Sequence, residues 1–362
     1  MAHDDNDLRA VRARIDALDD QILELVTERA RLAQEVARVK RAAGESEDFY
    51  RPEREAEVLR RVSARNQGPL TDAQVMRLFR EIMSSCLALQ QPLRVAYFGP
   101  EGTYTHAAAL KHFGHDARMV PLGTIDQVFR EVETESAQYG VVPVENSTEG
   151  VVTHTLDRFM SSPLQIVGEV ELPIRHNLLS NTEGLAEVRK VYAHQQSFGQ
   201  CRGWLDQHLP HAEREVVSSN AEAARRAAAE PGTAAIAGDA AADIYGLGIL
   251  ASGIQDSAAN TTRFLVVGRQ SASPTGEDKT SLVISSANRP GGLHRLLEPF
   301  GRYGVNMSRI ESRPSRQGMW EYVFFVDILG HTEDANVKQA LEAVQAEASL
   351  VKILGSYPRA AR

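Results

Sequence analysis

The chain has 362 residues, 43% of them hydrophobic, with Lys+Arg 40 against Asp+Glu 48 for a formal net charge of -8, and only 2 Cys. Two cysteines, Cys86 and Cys201, exclude a disulfide framework and a structural zinc site, and an acidic chain does not suit a nucleic-acid or membrane-surface role. At roughly 100–200 residues per domain the length implies two or three domains. The acidic start Met1-Ala2-His3-Asp4-Asp5 lacks the basic and apolar parts of a signal peptide and no apolar run reaches transmembrane length, so a cytoplasmic protein is expected.

Residues 8 to about 92 read as helix. Leu8, Val11, Ile15, Leu18, Ile22, Leu25, Leu32, Val36 and Val39 follow three-four spacing, the seam of a coiled coil or long bundle helix. A helix from Leu8 to Arg41 is about 50 Å long and overhangs any core that some 90 residues make alone, so it is expected to pack on a second subunit. A second helix follows Pro52 through Val58, Leu59 and Val62. A third starts at the capping-box pattern Thr71-Asp72-Ala73-Gln74 and buries Val75, Phe79, Ile82 and Cys86. After Pro92, the run Val95-Ala96-Tyr97-Phe98 ends in Gly99-Pro100-Glu101-Gly102-Thr103, and strand-like and helix-like segments alternate to about Gly268. Strands are expected at Gly140 to Val144, Leu164 to Leu172, Lys190 to Ala193, Ala234 to Ala237 and Arg263 to Val267. This alternation predicts an α/β domain of largely parallel strands, with its ligand at their carboxyl ends, and roughly 175 residues leave room for two lobes. A polar linker, Gln270 to Asp278, then separates a third unit. Its order is strand (Ser281 to Ser286), helix (Gly291 to Tyr303), strand (Ser308 to Arg313), strand (Glu321 to Ile328), helix (Asp334 to Glu347), strand (Val351 to Tyr357), the ferredoxin-like βαββαβ motif. The expected domains are residues 1–92, 93–270 and 279–362.

Arg29 interrupts the first seam. The stripe through Leu25 and Leu32 wants an apolar residue there, and a buried arginine without an anion costs several kcal/mol. Lys40 projects from nearly the same face about 16 Å further on, a span that two long side chains bridge with an organic acid between them. Arg12 faces about 100° away and has to serve a different copy of the site. Glu55 and Gln90 also stand on apolar faces. Read singly, Arg29 can snorkel, Lys40 can be solvated, and Glu55 and Gln90 can end helices in water; together the four imply a shared polar cavity. The pattern Leu8-Arg9 to Asp19, Glu28-Arg29, Lys40, Arg54-Glu55 and Gln90-Gln91 resembles the all-helical chorismate mutases over nearly all of residues 8–91. The resemblance implies an intertwined dimer in which Arg29 and Arg12 of the partner subunit bind the two substrate carboxylates. It further implies that Lys40 and Gln90 hydrogen-bond the ether oxygen while Arg54 and Glu55 hold the ring-hydroxyl side. Arg51 stands where some relatives carry an acidic residue, and the loop from Arg41 to Tyr50 is longer than theirs.

In the middle domain Gly99-Pro100-Glu101-Gly102-Thr103 lacks the Gly-Lys-Ser/Thr ending of a phosphate loop. Val144-Glu145-Asn146-Ser147-Thr148 follows one expected strand and Asn260-Thr261-Thr262-Arg263-Phe264 precedes another; each singly reads as ordinary capping chemistry. The three motifs in this order, with His194-Gln195-Gln196-Ser197-Phe198-Gly199-Gln200-Cys201 and Gly238-Asp239-Ala240, resemble prephenate dehydratase across about residues 94–268. That resemblance implies two lobes like those of periplasmic binding proteins, with the active site in the cleft. Thr262 would donate to the leaving hydroxyl, with Glu145, Asn146, Ser147, Gln200 and Asp239 in a network behind it. Thr103 would join the substrate contacts, and Arg263 would be a carboxylate partner or a structural residue.

In the third unit Arg289-Pro290-Gly291-Gly292-Leu293-His294 and Ile310-Glu311-Ser312-Arg313-Pro314 look like the regulatory ACT domain. This implies phenylalanine binding by Gly291, Gly292, Leu293, Glu311, Ser312 and Arg313, with the effector carboxylate at a helix N-terminus that small residues leave open. Gly292 and His294 replace the usual Ala and Val. The three resemblances together follow the order of the bifunctional chorismate mutase–prephenate dehydratases. They imply conversion of chorismate to prephenate and on to phenylpyruvate, phenylalanine as feedback inhibitor, no metal or organic cofactor, and a homodimer or higher oligomer. The residues leave open a dehydratase preferring arogenate, a decayed mutase domain, or a non-catalytic sensor built from the same parts.

Overall fold

The computed structural model describes residues 2–44, 50–257, 259–287, 289–315 and 322–360, and its backbone forms two compact units. The first is helical, built from α1 (Ala2–Ala42), the greater part of α2 (Pro52–Arg65) and α3 (Asp72–Ala88). Pro52 takes the first position of α2, where its missing N–H is no loss. The expected capping box forms at Thr71: its hydroxyl accepts from the Gln74 amide N–H, and the Gln74 side chain accepts from Thr71 N. Val58, Leu59 and Cys86 are buried, whereas the α1 seam is exposed along its length, with Leu25 at 65% and Leu32 at 55%. Residues 45–49 of the Arg41–Arg51 loop lie outside the described residues.

The second unit opens with β1 (Arg94–Phe98), α4 (Tyr104–Phe113), β2 (Arg118–Leu122), α5 (Ile125–Glu133), β3 (Tyr139–Asn146), β4 (Gly150–Val151), α6 (Thr153–Ser161) and β5 (Gln165–Pro173). The chain then builds a second lobe from β6 (Asn177–Ser180), β7 (Lys190–Ala193), α7 (Gln195–Gln200), α8 (Arg202–His208), β8 (Glu213–Val216), α9 (Asn220–Ala229), β9 (Thr233–Ala237), α10 (Asp239–Tyr245) and β10 (Gly248–Ala251). It returns as β11 (Thr261–Gly268), which inserts between β3 and β5 in the order β2-β1-β3-β11-β5. The second sheet runs β10-β6-β9-β7-β8. The expectation of largely parallel strands needs correction. β1 and β3 are parallel, as β7 is to β8 and β9, but β11 is antiparallel to both its neighbours and β6 to β9 and β10. A strand returning from the other lobe enters the first sheet from the opposite end, so it reverses direction without a crossover helix.

The last part is β12 (Asp278–Ser285), α11 (Gly292–Arg302), β13 (Met307–Pro314), β14 (Tyr322–Leu329), α12 (Ala335–Glu347) and β15 (Leu350–Pro358), with sheet order β13-β14-β12-β15. This is the expected βαββαβ fold; Glu321, the expected start of its third strand, lies outside the described residues. Leu282, Ile284, Val326 and Ile328 face α11 and α12, where they meet Leu296, Phe300 and Val344. The alternate residues Val283, Val323, Phe325 and Leu354 share one core with Phe129, Phe159, Ile166 and Leu265 of the first lobe. The polar linker therefore does not release a free-standing domain. Gly355 shows how closely β15 and β5 approach: at φ +152, a Cβ there would lie 2.2 Å from the Ile166 carbonyl oxygen.

Within that shared core lies a buried ion cluster. Arg263 on β11 gives Nε to Glu169 at 2.8 Å, Nη1 to Asp327 at 2.6 Å and Nη2 to the Tyr357 hydroxyl at 2.9 Å. Glu169 also receives Lys279 Nζ at 2.7 Å, and Asp327 receives the Ser281 hydroxyl at 2.5 Å. The Glu169 and Asp327 side chains are 2% and 6% exposed. Burial alone would raise both carboxyls, but for Glu169 the charges of Arg263 and Lys279 win, and for Asp327 that of Arg263 with the Ser281 bond, so both are held below their ordinary values. Burial opposes the Arg263 charge too, and Tyr357, Asp327 and Glu169 outweigh it.

Because these folded carboxyls are depressed, their contribution to stability is present above the ordinary carboxylate range and lost as pH falls through the folded values. Glu169→Gln leaves Arg263 and Lys279 facing a neutral amide, and should destabilise the second unit by about 3–5 kcal/mol in urea unfolding at pH 7. The gap between variant and wild type should close in acid.

Candidate active sites

In the helical unit, Arg29 on α1 reaches the Ile82 carbonyl of α3, with Nη1 at 3.5 Å, and Arg41 Nη2 donates to the Gln90 carbonyl at 2.6 Å. These bonds bring the C-terminal half of α1 against α3, where Arg29, Lys40 and Gln90 are half-buried. Arg12 is exposed, roughly 26 Å along the axis from Arg29, and is not brought to the same place in its own chain. In the first turn of α2, Arg54 Nη1 pairs with Glu57 at 2.5 Å on the surface, and Glu55 is half-buried.

The cleft of the second unit is organised by a directional chain of hydrogen bonds. Asn146, at the end of β3, accepts from the backbone N–H groups of Thr148 and Glu149, both at 2.9 Å. Its Nδ2 must therefore be the donor, to Thr262 Oγ1 and Asn260 Oδ1, each at 2.7 Å. That orients Asn260, whose Nδ2 donates to Gln200 Oε1 at 3.0 Å, and orients Gln200, whose Nε2 donates to Glu149 Oε1 at 3.2 Å. The Gln200 oxygen also faces His176 Nε2 at 2.7 Å, so the network assigns the proton to that nitrogen. Nδ1 then faces the Tyr104 hydroxyl at 3.0 Å, which also lies 2.7 Å from the Arg175 carbonyl. Burial holds the His176 pKa below its ordinary 6.5, keeping the ring neutral; the Gln200 bond pulls the other way and loses. Thr262 accepts from Asn146 and so keeps its own hydroxyl proton to donate.

Other expected residues support this chain from outside. Ser147 Oγ donates to Ala259 O at 3.0 Å and accepts from Thr261 N at 2.9 Å, fixing the entry to β11. Asp239 receives Asn177 Nδ2 at 2.5 Å, and Asn177 in turn accepts from Gly253 N. Thr103 donates to Pro100 O at 3.0 Å and accepts from His106 N at 3.3 Å, so its hydroxyl starts α4. Glu145 and Arg263 are not in the cleft. They are cross-strand partners, as Asn146 and Thr262 are, and lie on the opposite face of the sheet. Arg263 is taken up by the ion cluster, and the Glu145 carboxylate receives Arg309 Nε at 2.7 Å.

In the C-terminal domain a cavity of ≈ 250 Å³ is lined by Gly291, Gly292, Leu293 and His294 at the start of α11, and by Tyr322 and Phe324 of β14. Gly291 sits at φ +73 as the N-cap, a left-handed conformation that suits glycine. Of the three β13 residues expected beside it, only Ser312 pairs with Phe324 and shares the cavity's side of the sheet. Glu311 and Arg313 alternate to the other face, and Arg313 Nη2 donates to Asp157 of α6 at 2.8 Å. Sequence reasoning assigned no role to Tyr104, Glu149, His176, Asn177 or Asn260. The signal for two of them was available: Arg175-His176-Asn177 is a polar triplet inside an apolar run, Leu172-Pro173-Ile174 before it and Leu178-Leu179 after.

Among the described residues no helix is long and apolar enough to cross a membrane, and no group of three or more His, Cys, Asp or Glu could hold a metal ion. Comparison with known proteins matches residues 11–91 to chorismate mutase type II, 95–272 to prephenate dehydratase and 280–346 to the ACT domain. A bifunctional chorismate mutase/prephenate dehydratase of Stutzerimonas stutzeri is 56% identical over 357 residues, covering 98% of both chains. One from Pseudomonas aeruginosa is 55% identical over 361 residues, covering 99% of both. The crystal structure of a prephenate dehydratase from Arthrobacter aurescens in complex with L-Phe is 36% identical, with a TM-score of 0.69 over 74% of this chain and 90% of that one.

His176 generates a pH prediction. A folded pKa below the ordinary 6.5 means that the unfolded chain takes up the proton first as pH falls, while the folded ring stays neutral. Titration of the His176 ring by NMR should show a midpoint below 6.5, with the cleft network intact above it. A midpoint at or above 6.5 would mean that the Gln200 bond outweighs burial and that the ring does not stay neutral.

Proposed function

The chain belongs to the bifunctional chorismate mutase/prephenate dehydratase family, and on that premise we propose how its residues divide the work. It rearranges chorismate to prephenate and converts prephenate to phenylpyruvate. The first step is unimolecular and needs only a reactive conformer and stabilisation of the charge developing on the ether oxygen. Lys40 and the Gln90 amide supply that stabilisation, Arg29 holds one carboxylate, and Arg54 and Glu55 hold the ring-hydroxyl side. Arg12 completes the carboxylate site of the partner subunit. The exposed apolar seam of α1 supports this dimer, since a stripe from Leu8 to Val39, broken by Arg29, seeks a second copy.

In the dehydratase step the ring carboxylate leaves as carbon dioxide, its bonding pair enters the ring, and the ring hydroxyl departs with a proton as water. The observation that carries the assignment is the 2.7 Å bond from Asn146 to Thr262, which leaves the threonine proton available to the departing oxygen. A threonine is a weak acid, so its role is to position and stabilise charge, with Asn146, Asn260, Gln200 and neutral His176 fixing its orientation.

The ≈ 250 Å³ cavity at α11 takes phenylalanine as effector, its carboxylate at the helix N-terminus and its ring beside Tyr322 and Phe324. The phenylalanine complex of the Arthrobacter aurescens relative supports this reading. Glu311 and Arg313, which alternate away from the cavity, stabilise the sheet's other face instead. The buried thiols of Cys86 and Cys201 suit a reducing cytoplasm.

A chorismate-fed assay that follows prephenate and phenylpyruvate tests these assignments together. Lys40→Ala should lower mutase turnover by about 10²–10³-fold and leave prephenate dehydration intact, and Thr262→Ala should do the reverse. Mixing Arg12→Ala with Lys40→Ala chains should restore about a quarter of the mutase activity, because half of the random dimers carry one intact composite site. No recovery after subunit exchange would mean that Arg12 serves its own chain. Phenylalanine should inhibit the dehydratase, and a flat dose response would rule out the cavity as effector site.

A further inference from the structure

We propose that Arg309 and Asp327, both in the C-terminal βαββαβ domain, are positioning residues for the dehydratase reaction, acting through Glu145 and Arg263 on the strands that present Asn146 and Thr262. The proposal rests on the reading that Asn146 and Thr262 stand at the reacting centre. Two cross-strand pairs meet face to face. On the catalytic sheet Glu145 is opposite Arg263, and on the regulatory sheet Arg309 is opposite Asp327. The bonds run directly across, Arg309 Nε to Glu145 Oε2 at 2.7 Å and Arg263 Nη1 to Asp327 Oδ2 at 2.6 Å. Signs alternate around this square, so each charge has its opposite both beside it in its own sheet and across the interface. The guanidinium side chains are 13% and 12% exposed and Asp327 6%, against 36% for Glu145, so the Arg263–Asp327 contact lies out of water and the Arg309–Glu145 contact at its edge, and a charged pair so placed is geometrically demanding.

The backbone explains why the catalytic strands need this external hold. The β3–β11 ladder shifts register between Arg263 and Phe264, one residue from Thr262. Beyond that shift the ladder runs for only two pairs, Arg263 with Glu145 and Thr262 with Asn146, and ends at Ser147 N–H to Thr261 O at 2.9 Å, so few backbone bonds hold the point where a 2.7 Å bond must be kept. Glu145 and Arg263 are each one residue from the working pair, on the opposite face, so clamping them fixes the strand without entering the cleft. Arg309 and Asp327 come from β13 and β14; Tyr357 of β15 and Glu169 of β5 hold Arg263 as well. β13 also carries Ser312, on the cavity's side of the sheet and paired with Phe324, which lines the cavity, so one strand supplies Arg309 and lies next to the strand that walls the effector pocket.

The test is steady-state kinetics of the full-length enzyme with prephenate. Arg309→Met should lower dehydratase kcat by about tenfold or more, as expected for a small misplacement of a catalytic group. KM should stay within about threefold, because substrate contacts remain. Arg309→Lys should recover most of the rate, and Glu145→Gln/Arg309→Met should be no slower than Arg309→Met alone, since both break one link. Rates are normalised to the folded fraction from thermal unfolding, so that a merely destabilised protein is recognised. Wild-type kcat in Arg309→Met, a loss accounted for by unfolding, or effects that multiply in the double variant would overturn the proposal. Thr262→Ala in parallel separates the two levels of the reading. If that variant is inactive and Arg309→Met is normal, only the clamp fails; if it keeps full turnover, the cleft assignment fails and the clamp with it.

Discussion

The two-residue period of a β-strand decides what the middle and last domains can do together. Successive side chains on β3 and β11 point to opposite faces, so Glu145-Asn146 and Thr262-Arg263 each split. Asn146 and Thr262 face the cleft and bond to each other, while Glu145 and Arg263 face the C-terminal sheet and bond to Arg309 and Asp327. Each of the two dipeptides thus gives one side chain to the hydrogen-bonded chain of the cleft and one to the contact between the sheets, with no residue shared between the tasks. The interface has the same division in its apolar part, where Val283, Val323 and Phe325 alternate with residues that face α11 and α12.

A square of charges with three of its four corners nearly out of water is a costly way to join two sheets. Removing several ions from water carries a penalty that mutual attraction only offsets when geometry is good, and hydrophobic packing would give as much adhesion. What charges add is registry: an arginine fork accepts few geometries, whereas a leucine slides. The apolar residues around the cluster provide the adhesion, and the Arg263, Asp327, Glu169 and Lys279 set fixes how β11 lies against the C-terminal sheet. Gly355 belongs to the same requirement, since any Cβ there would separate β15 from β5 and stretch these bonds.

The elements were legible in the sequence wherever their signal is local. Helix starts at Pro52 and Thr71, the βαββαβ order and the long α1 seam follow from caps and periodicity that involve only neighbouring residues. The short strands β2, β6, β8 and β10 were not, whereas the equally short β7 and β9 were: Pro121 in β2 and Glu213-Arg214-Glu215 in β8 interrupt the strand pattern that Val191-Tyr192 and Ala234-Ala235-Ile236 keep. Strand direction was misjudged for a different reason: it depends on where β11 re-enters the first sheet after about ninety residues of another lobe, which no local pattern reports. The same limit applied to side-chain roles. Thr262, Asn146 and Gln200 were identified through motifs, but that Arg263 turns away from the cleft follows only once Thr262 is known to face it. For His176 the polar triplet Arg175-His176-Asn177 marks a break in an apolar run, but the role of the ring follows only once its partners Gln200 and Tyr104 are in place.

The removal of Arg263 from the cleft is consistent with the reaction itself. Prephenate starts as a dianion and loses one charge as neutral carbon dioxide, so negative charge on the departing carboxylate falls as the transition state is approached. A guanidinium bonded to that carboxylate would stabilise the ground state more than the transition state and slow the step. The groups that the cleft offers in its bonded chain are a threonine hydroxyl, three amides, a neutral imidazole and a tyrosine hydroxyl, ending on the Glu149 carboxylate. Such neutral dipoles favour the leaving oxygen, where charge grows, without rewarding the carboxylate, where it disappears. The cation next to Thr262 in the chain is instead paired with Glu169 and Asp327 on the far side of the sheet, away from that chain of neutral groups.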